Sequence, residues 1–150
     1  MRTLMAIFLS LTLLSIPSFA AELESEGLWL RESIPGQPHG AGFGVLINNT
    51  DMDVFLIGAS ISVAEDVEIH QHVMEGQQMR MEQIEALMVP AGSHVKLQPG
   101  GYHVMLMNLK EPLVVGEVHS MTLVFSDGTT LDVEVPVKPL VEMHNEHAHH

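Results

Sequence analysis

Two histidines and two methionines are spaced along this chain in a way that suits the ligands of a soft metal ion. Ten residues separate His70 from Met81, and twenty-one separate Met81 from His103. Met105 follows after one further residue. Imidazole and thioether ligands together favour Cu(I). A thioether sulfur is uncharged and is never protonated, so the pattern predicts metal binding rather than proton transfer.

Three of these four ligands have a neighbour of the same type two positions away, namely His72, Met79 and Met107. Residues two apart in a strand project from the same face. We therefore interpret these three as supporting or substitute ligands. A single Met is more often core filler and a single His more often a half-exposed strand residue, but one metal site accounts for the whole group.

The chain has no cysteine. Disulfides are therefore excluded, and so is a blue-copper electron carrier, whose metal needs a thiolate. The chain has eleven methionines, and nine remain when Met1 and Met5 of the leader are set aside. Thioethers supply soft ligation without disulfide chemistry.

The charge balance is strongly acidic. Nineteen acidic residues against six basic ones give a formal net charge of −13. No basic patch is available to neutralise phosphates, so we expect no nucleic-acid partner. Attraction of cations, or docking on a basic partner, is compatible with this charge.

Residues 1–20 have the pattern of an export signal. Arg2 supplies the positive start, an apolar run follows, and Ser18-Phe19-Ala20 provides a cleavage site. We expect cleavage near Ala20 and a periplasmic protein. The apolar run is short for a membrane span, and no Cys follows it for lipid attachment, so we expect no membrane anchor. We also expect a monomer.

The remainder reads as one all-β domain, residues 21–138, built from short strands between turn sequences. Leu131, Val133, Val135 and Val137 alternate as one strand face does. Residues 82–88 are the only segment of this domain that could form a helical turn instead. The predicted strands are 42–48, 54–63, 67–73, 93–97, 102–109, 118–125 and 130–137. The fold class expected is an antiparallel barrel or sandwich.

Residues 139–150 form a polar tail rich in His and Met. Imidazole-rich peptides favour Cu(II), so we expect the tail to collect Cu(II) while the folded site holds Cu(I). The candidate tail ligands are Met143, His144, His147, His149 and His150.

The pattern His-x10-Met-x21-His-x-Met resembles the signature of the PCu(A)C copper chaperones of bacterial periplasms, with no deviation in spacing. The flanking sequences agree, notably Val67-Glu68-Ile69-His70 and Pro99-Gly100-Gly101-Tyr102-His103-Val104-Met105. The similarity runs from about Gly27 to Val137.

This resemblance implies a cupredoxin-like Greek-key fold with an exposed Cu(I) site. It also implies delivery of copper toward the dinuclear centre of cytochrome c oxidase, with subunit II or a Sco-type thioredoxin-like protein as partner. Copper buffering for tolerance is the principal alternative. A copper enzyme ranks lower, because no nucleophile motif or paired catalytic carboxylates appear. A purely structural β-module with its methionines in the core also ranks lower. We expect no enzymatic activity.

Overall fold

A computed structural model describes residues 21–140 of the chain. The predicted export signal and the predicted tail ligands lie outside the described residues. No helix within 21–140 has the length and apolar character needed to cross a membrane.

Residues 21–140 form ten β-strands and no α-helix. The strands are β1 Leu23–Arg31, β2 Gly40–Asn48, β3 Val54–Ile61, β4 Ala64–Glu75, β5 Gln78–Ile84, β6 Leu87–Val89, β7 Ser93–Leu97, β8 His103–Leu109, β9 Val118–Phe125 and β10 Thr130–Lys138.

The strands join in the order β5-β4-β8-β2-β1-β10-β9-β3-β6, with β7 also paired to β2. The path does not return to its start, so the sheet is open. All pairs are antiparallel except β1 with β10, which run parallel through Leu30 opposite Val137. The all-β prediction is confirmed, and the one parallel pair is a feature that the turn pattern did not predict.

One apolar core lies between the layer that contains β4 and β8 and the layer that contains β9 and β10. Leu30, Val104, Leu123 and Val135 have no exposed surface. Their alternation with outward residues is the two-residue period of half-buried strands. Met121 is the one methionine of residues 21–140 that is buried in this core. Core filling therefore does not explain the methionine content.

Three observed strands were not predicted. β1 contains a register shift between Glu26 and Trp29 that breaks its alternation. β5 has no buried residue, so it carries no apolar period. β6 is only three residues long. Part of the helical turn considered near 82–88 is in fact strand, because cross-strand pairing with β4 holds residues 78–84 extended.

Asn48 holds together the turn that leads from β2 to β3. Its side-chain amide donates hydrogen bonds to the carbonyls of Met52 (2.8 Å) and Val89 (2.9 Å). Its Oδ1 accepts from the backbone N–H and the hydroxyl of Thr50, at 3.0 and 2.7 Å. Asn48 is fully buried, and its bond to the Val89 carbonyl is the buried bond of this set.

We expect Asn48→Ala to lower the free energy of unfolding by about 2 kcal/mol, since it removes the side-chain donor to the buried Val89 carbonyl and leaves a gap. Asn49→Ala is the matched control. Asn49 is exposed and donates one bond to Ala21, so its loss costs at most about 0.5 kcal/mol. Urea unfolding followed by tryptophan fluorescence measures both. Equal losses in the two variants would show that the buried network contributes little.

Candidate metal centre

The sequence-predicted ligands lie on three neighbouring strands, β5, β4 and β8. His70 on β4 is the register partner of His103 on β8. His72 on β4 is the partner of Met81 on β5. Directly opposed residues share a face of the sheet. His70 and His72 are two residues apart in β4 and also share a face. The side chains of His70, His72, His103 and Met81 therefore all project from the outer face, while Val104, which follows His103, points into the core.

His103 and Met81 are in direct contact. The His103 Nε2 atom lies 3.1 Å from the Met81 Sδ atom. The His103 Nδ1 atom lies 3.1 Å from the Gly101 carbonyl oxygen. A carbonyl can only accept, so Nδ1 carries the proton and, in the neutral ring, Nε2 presents a lone pair. Two electron-pair donors thus face each other, as they would around a metal ion.

His70 shows the complementary tautomer. Its Nε2 atom donates to the Glu68 carboxylate at 2.6 Å. Its Nδ1 atom is buried and has no hydrogen-bond partner. A buried polar atom without a partner costs free energy, and a metal ion would satisfy it. A carboxylate that orients one ring nitrogen while the other binds metal is a common arrangement of histidine ligands.

His72 also approaches the centre. Its ring centroid lies 5.2 Å from that of His103, against 5.7 Å for His70. Its Nδ1 lies 3.3 Å from the same Gly101 carbonyl. The structure therefore brings both histidines of the doublet beside His103, and the ring distances alone do not choose between them.

The other predicted ligands occupy the same face at greater distances from the His103–Met81 contact. Met105 projects two residues beyond His103 and lies opposite Glu68, and Met107 lies opposite Asp66. Met79 lies opposite Met74 near the β4–β5 turn. Within residues 21–140, no three His, Asp or Glu side chains form a metal-binding group by themselves.

Sequence reasoning left out Glu68, Gly101 and Met74. The period of two that relates His70 to His72 also includes Glu68 and Met74, so that pattern held the signal for both. The role of the Gly101 carbonyl depends on backbone direction in the turn before β8, which residue types do not report.

Aromatic rings form one wall of the centre. Phe43 on β2 lies beside His103, with ring centroids 6.2 Å apart, and Trp29 on β1 lies beside Phe43 at 5.1 Å. Gly42 serves the opposite, core side of β2, because a Cβ there would lie 2.6 Å from a Val104 methyl. The wall keeps water from one side of the His103 ring, which is 3% exposed.

Burial lowers the pKa of His103 below its ordinary value of 6.5. The hydrogen bond to the Gly101 carbonyl opposes this shift. The charges of His72, His70 and Arg31 lower the pKa further. The ring is therefore neutral at neutral pH, and its Nε2 lone pair is free for a metal ion.

We expect the His103 ring of the metal-free protein to titrate with a midpoint below 6.5. Ring ¹H–¹⁵N NMR measures this and also reports the proton on Nδ1. Because the folded pKa is the lower one, protons bind preferentially to the unfolded chain. This group's contribution to stability is complete above pH 6.5 and is lost as pH falls from 6.5 through the folded pKa. A His103 midpoint at or above that of the urea-unfolded chain would contradict the argument.

The centre is enclosed on the histidine side and open on the methionine side. His103 and His70 are 3% and 9% exposed, whereas Met81 is 44% exposed. A metal ion held here would rest on fixed imidazoles and be reached through a mobile thioether. This arrangement suits binding that can be reversed by ligand exchange.

Comparison with known proteins shows the family of this chain. The family model described as "Putative lipoprotein LpqE-like" matches residues 23–137. The chain belongs to the LpqE-like family. A relative from Leifsonia xyli subsp. xyli (strain CTCB07), "Putative lipoprotein Lxx21020", is 40% identical over 111 residues. That match covers 73% of this LpqE-like chain and 66% of the relative, so the chain spans just under two-thirds of the relative's length.

Solved structures identify the fold of this LpqE-like protein. The copper-bound PCuAC domain from PmoF2 superposes with a TM-score of 0.68 at 25% identity, covering 83% of this chain and 99% of that one. The solution structure of Cu(I)-DR1885 from Deinococcus radiodurans gives a TM-score of 0.61 at 32% identity, covering 76% and 78%. The predicted PCu(A)C membership and the cupredoxin-like β fold are thereby confirmed.

Proposed function

We propose that this protein is a copper metallochaperone that binds Cu(I) through His70, Met81, His103 and Met105. The observation that carries the proposal is the 3.1 Å contact between the His103 Nε2 lone pair and the Met81 sulfur. Two unprotonated donors at that separation have no hydrogen bond to make with each other. A soft cation between them, with modest outward movement of Met81, would satisfy both.

The donor set favours Cu(I) over the common divalent ions. Thioethers select soft ions, while zinc and magnesium prefer thiolate, imidazole or oxygen ligands. The buried, unpartnered Nδ1 of His70 adds a second imidazole. All four ligands are neutral, so the bound ion keeps its charge. The Glu68 carboxylate beside His70 offsets that charge.

The exposure of Met81 supports a role in transfer. An acceptor's ligand could replace the Met81 thioether first and draw the ion away from the buried histidines. Because the chain has no cysteine, it cannot reduce a disulfide in its acceptor, and another protein must supply that step.

The resemblance to PCu(A)C proteins extends the proposal to the acceptor. We infer export to the periplasm after cleavage near Ala20 and delivery toward the dinuclear copper centre of cytochrome c oxidase. The receiving protein would be subunit II or a Sco-type thioredoxin-like protein. The tail from Pro139 onward would collect Cu(II), which titration of a chain truncated there tests.

X-ray absorption of the Cu(I)-loaded protein tests the proposed site. We expect two sulfur and two nitrogen neighbours for Cu(I) in a chain truncated after Pro139. Copper surrounded by oxygen and nitrogen alone would overturn the proposed ligand set. Truncation removes the histidine-rich segment that would otherwise add nitrogen neighbours.

Copper buffering is the second candidate function, because the same site would store copper as well as deliver it. A deletion strain separates the two. Loss of oxidase activity under copper limitation supports delivery, whereas sensitivity to excess copper with normal oxidase activity supports buffering. A structural module with its methionines in the core is disfavoured by the 44% exposure of Met81.

A further inference from the structure

We propose that Met74 and Met79 form a second, outer site for a soft monovalent cation at the tip of the β4–β5 hairpin. The inference deepens the proposed function, on which it rests. The outer site would take the same Cu(I) cargo more weakly and pass it toward Met81. The register and exposures that define the outer pair are separate from the contacts that define the inner centre.

The hairpin turn places the two sulfurs on one face. Glu75 pairs with Gln78, so the loop contains only Gly76 and Gln77. Gly76 has φ of 66°, and glycine at the first loop position is typical of a two-residue type II′ turn. Such a turn fixes the register. Met74 is thereby held opposite Met79, with Cβ atoms about 5 Å apart.

Both side chains are exposed without an evident packing role. Met74 is 62% exposed and Met79 is 61% exposed. Strands at a surface more often use β-branched or aromatic residues for cross-strand packing. Methionine instead offers a flexible chain with three rotatable bonds and a polarisable sulfur. Two such sulfurs across a strand pair can close on one cation.

Near the tip of the hairpin, the charged side chains lie on the face opposite the two methionines. Arg80 alternates with Met79 and Met81, and its guanidinium pairs with Glu75 at 3.4 Å and Glu82 at 3.3 Å. The thioether face therefore presents no arginine that would repel a cation. The next pair inward on the same face is His72 with Met81.

These pairs form a continuous path. Successive pairs on one face are ~7 Å apart along the strands. Met81 lies between the outer pair and His103, whose Nε2 it already contacts. Transfer would proceed by ligand exchange: a Met81 sulfur–copper bond would form as one outer sulfur–copper bond breaks, and a His103 nitrogen–copper bond would form as the second outer sulfur–copper bond breaks. Copper remains Cu(I), and no proton is exchanged with the thioethers.

An Ag(I) titration followed by NMR tests the outer site. The protein is labelled with ¹³C at the methionine ε-methyl groups. We expect the Met81 and Met105 methyl signals to shift with the first equivalent. The Met74 and Met79 signals should shift together as further Ag(I) is added. Met52, which is 72% exposed and lies in the β2–β3 turn, is the control and should stay unshifted.

The outcomes separate the two proposals. Silent Met74 and Met79 signals with a responding Met105 would overturn the outer site and leave the inner one standing. A silent Met105 and an unchanged His103 ring would instead contradict the proposed function. An equal shift of Met52 would show adventitious thioether binding and overturn the outer site.

A single substitution tests whether the two sulfurs act together. Met74→Leu preserves volume at an exposed position, so folding should be unaffected. We expect the Met79 methyl to lose its shift in the second phase, while Met81 and Met105 respond as before. Retention of the full Met79 shift in this variant would show that the pair does not chelate.

Discussion

Replacing Met81 with leucine should weaken Cu(I) binding by about a hundredfold or more. Loss of a residue that only supports a metal ligand already costs up to about a hundredfold, and loss of a ligand should cost at least as much. Leucine keeps the volume of the side chain but removes the sulfur that lies 3.1 Å from His103 Nε2. Because Met81 is 44% exposed, the free energy of unfolding of the metal-free protein should change by at most about 0.5 kcal/mol. Competition against a chromophoric Cu(I) chelator measures the affinity.

Met88→Leu is the matched control for this experiment. Met88 is 46% exposed, almost the same as Met81, but it lies on β6, opposite Phe55 of β3. The control should bind Cu(I) as the unmodified protein does. If Met81→Leu bound Cu(I) with unchanged affinity, thioether ligation from β5 would be wrong. If both variants weakened binding equally, the loss would not be specific to the centre.

A strand whose residues alternate regularly toward the core could be predicted from the sequence, whereas β1, with its register shift, the three-residue β6 and the unburied β5 could not. β10 alternates buried and outward residues around Val135 and Val137, so its pattern is visible without coordinates. β5 buries no residue, and only its pairing to β4 shows that it is a strand. β5 nevertheless carries Met81. The element that is hardest to predict thus positions one of the most informative residues.

The candidate site could be predicted as a set of residue types but not as a hydrogen-bonded arrangement. Spacing placed His103 and Met105 on one face, because strand geometry is local. The pairing of His70 with His103 joins strands 33 residues apart in the chain and depends on register. The tautomers depend on two acceptors, the Gly101 carbonyl and the Glu68 carboxylate. Glu68 could have been found from its spacing of two from His70, whereas the direction of the Gly101 carbonyl is not reported by residue types.

Substitution of the two β4 histidines should separate their roles. We expect His70→Gln to weaken Cu(I) binding by about a hundredfold or more and His72→Gln by less than about tenfold. The His70 ring is buried, its Nε2 is held by Glu68, and its Nδ1 has no other partner. The His70 ring is therefore already buried and oriented before the ion binds. His72 is only partly buried and shares the Gly101 carbonyl with His103.

This experiment is decisive because the ring distances to His103, 5.2 Å for His72 and 5.7 Å for His70, do not choose between the two histidines. Chelator competition gives the two affinities, and urea unfolding of the metal-free variants corrects for any loss of stability from the buried position. Equal losses would mean that both histidines bind the ion in turn. A larger loss for His72→Gln would assign the ligand to His72 instead, and the unpartnered Nδ1 of His70 would then need another explanation. A dominant loss for His70→Gln ties the Glu68 hydrogen bond to metal binding, because that bond is what leaves Nδ1 as the free nitrogen of the ring.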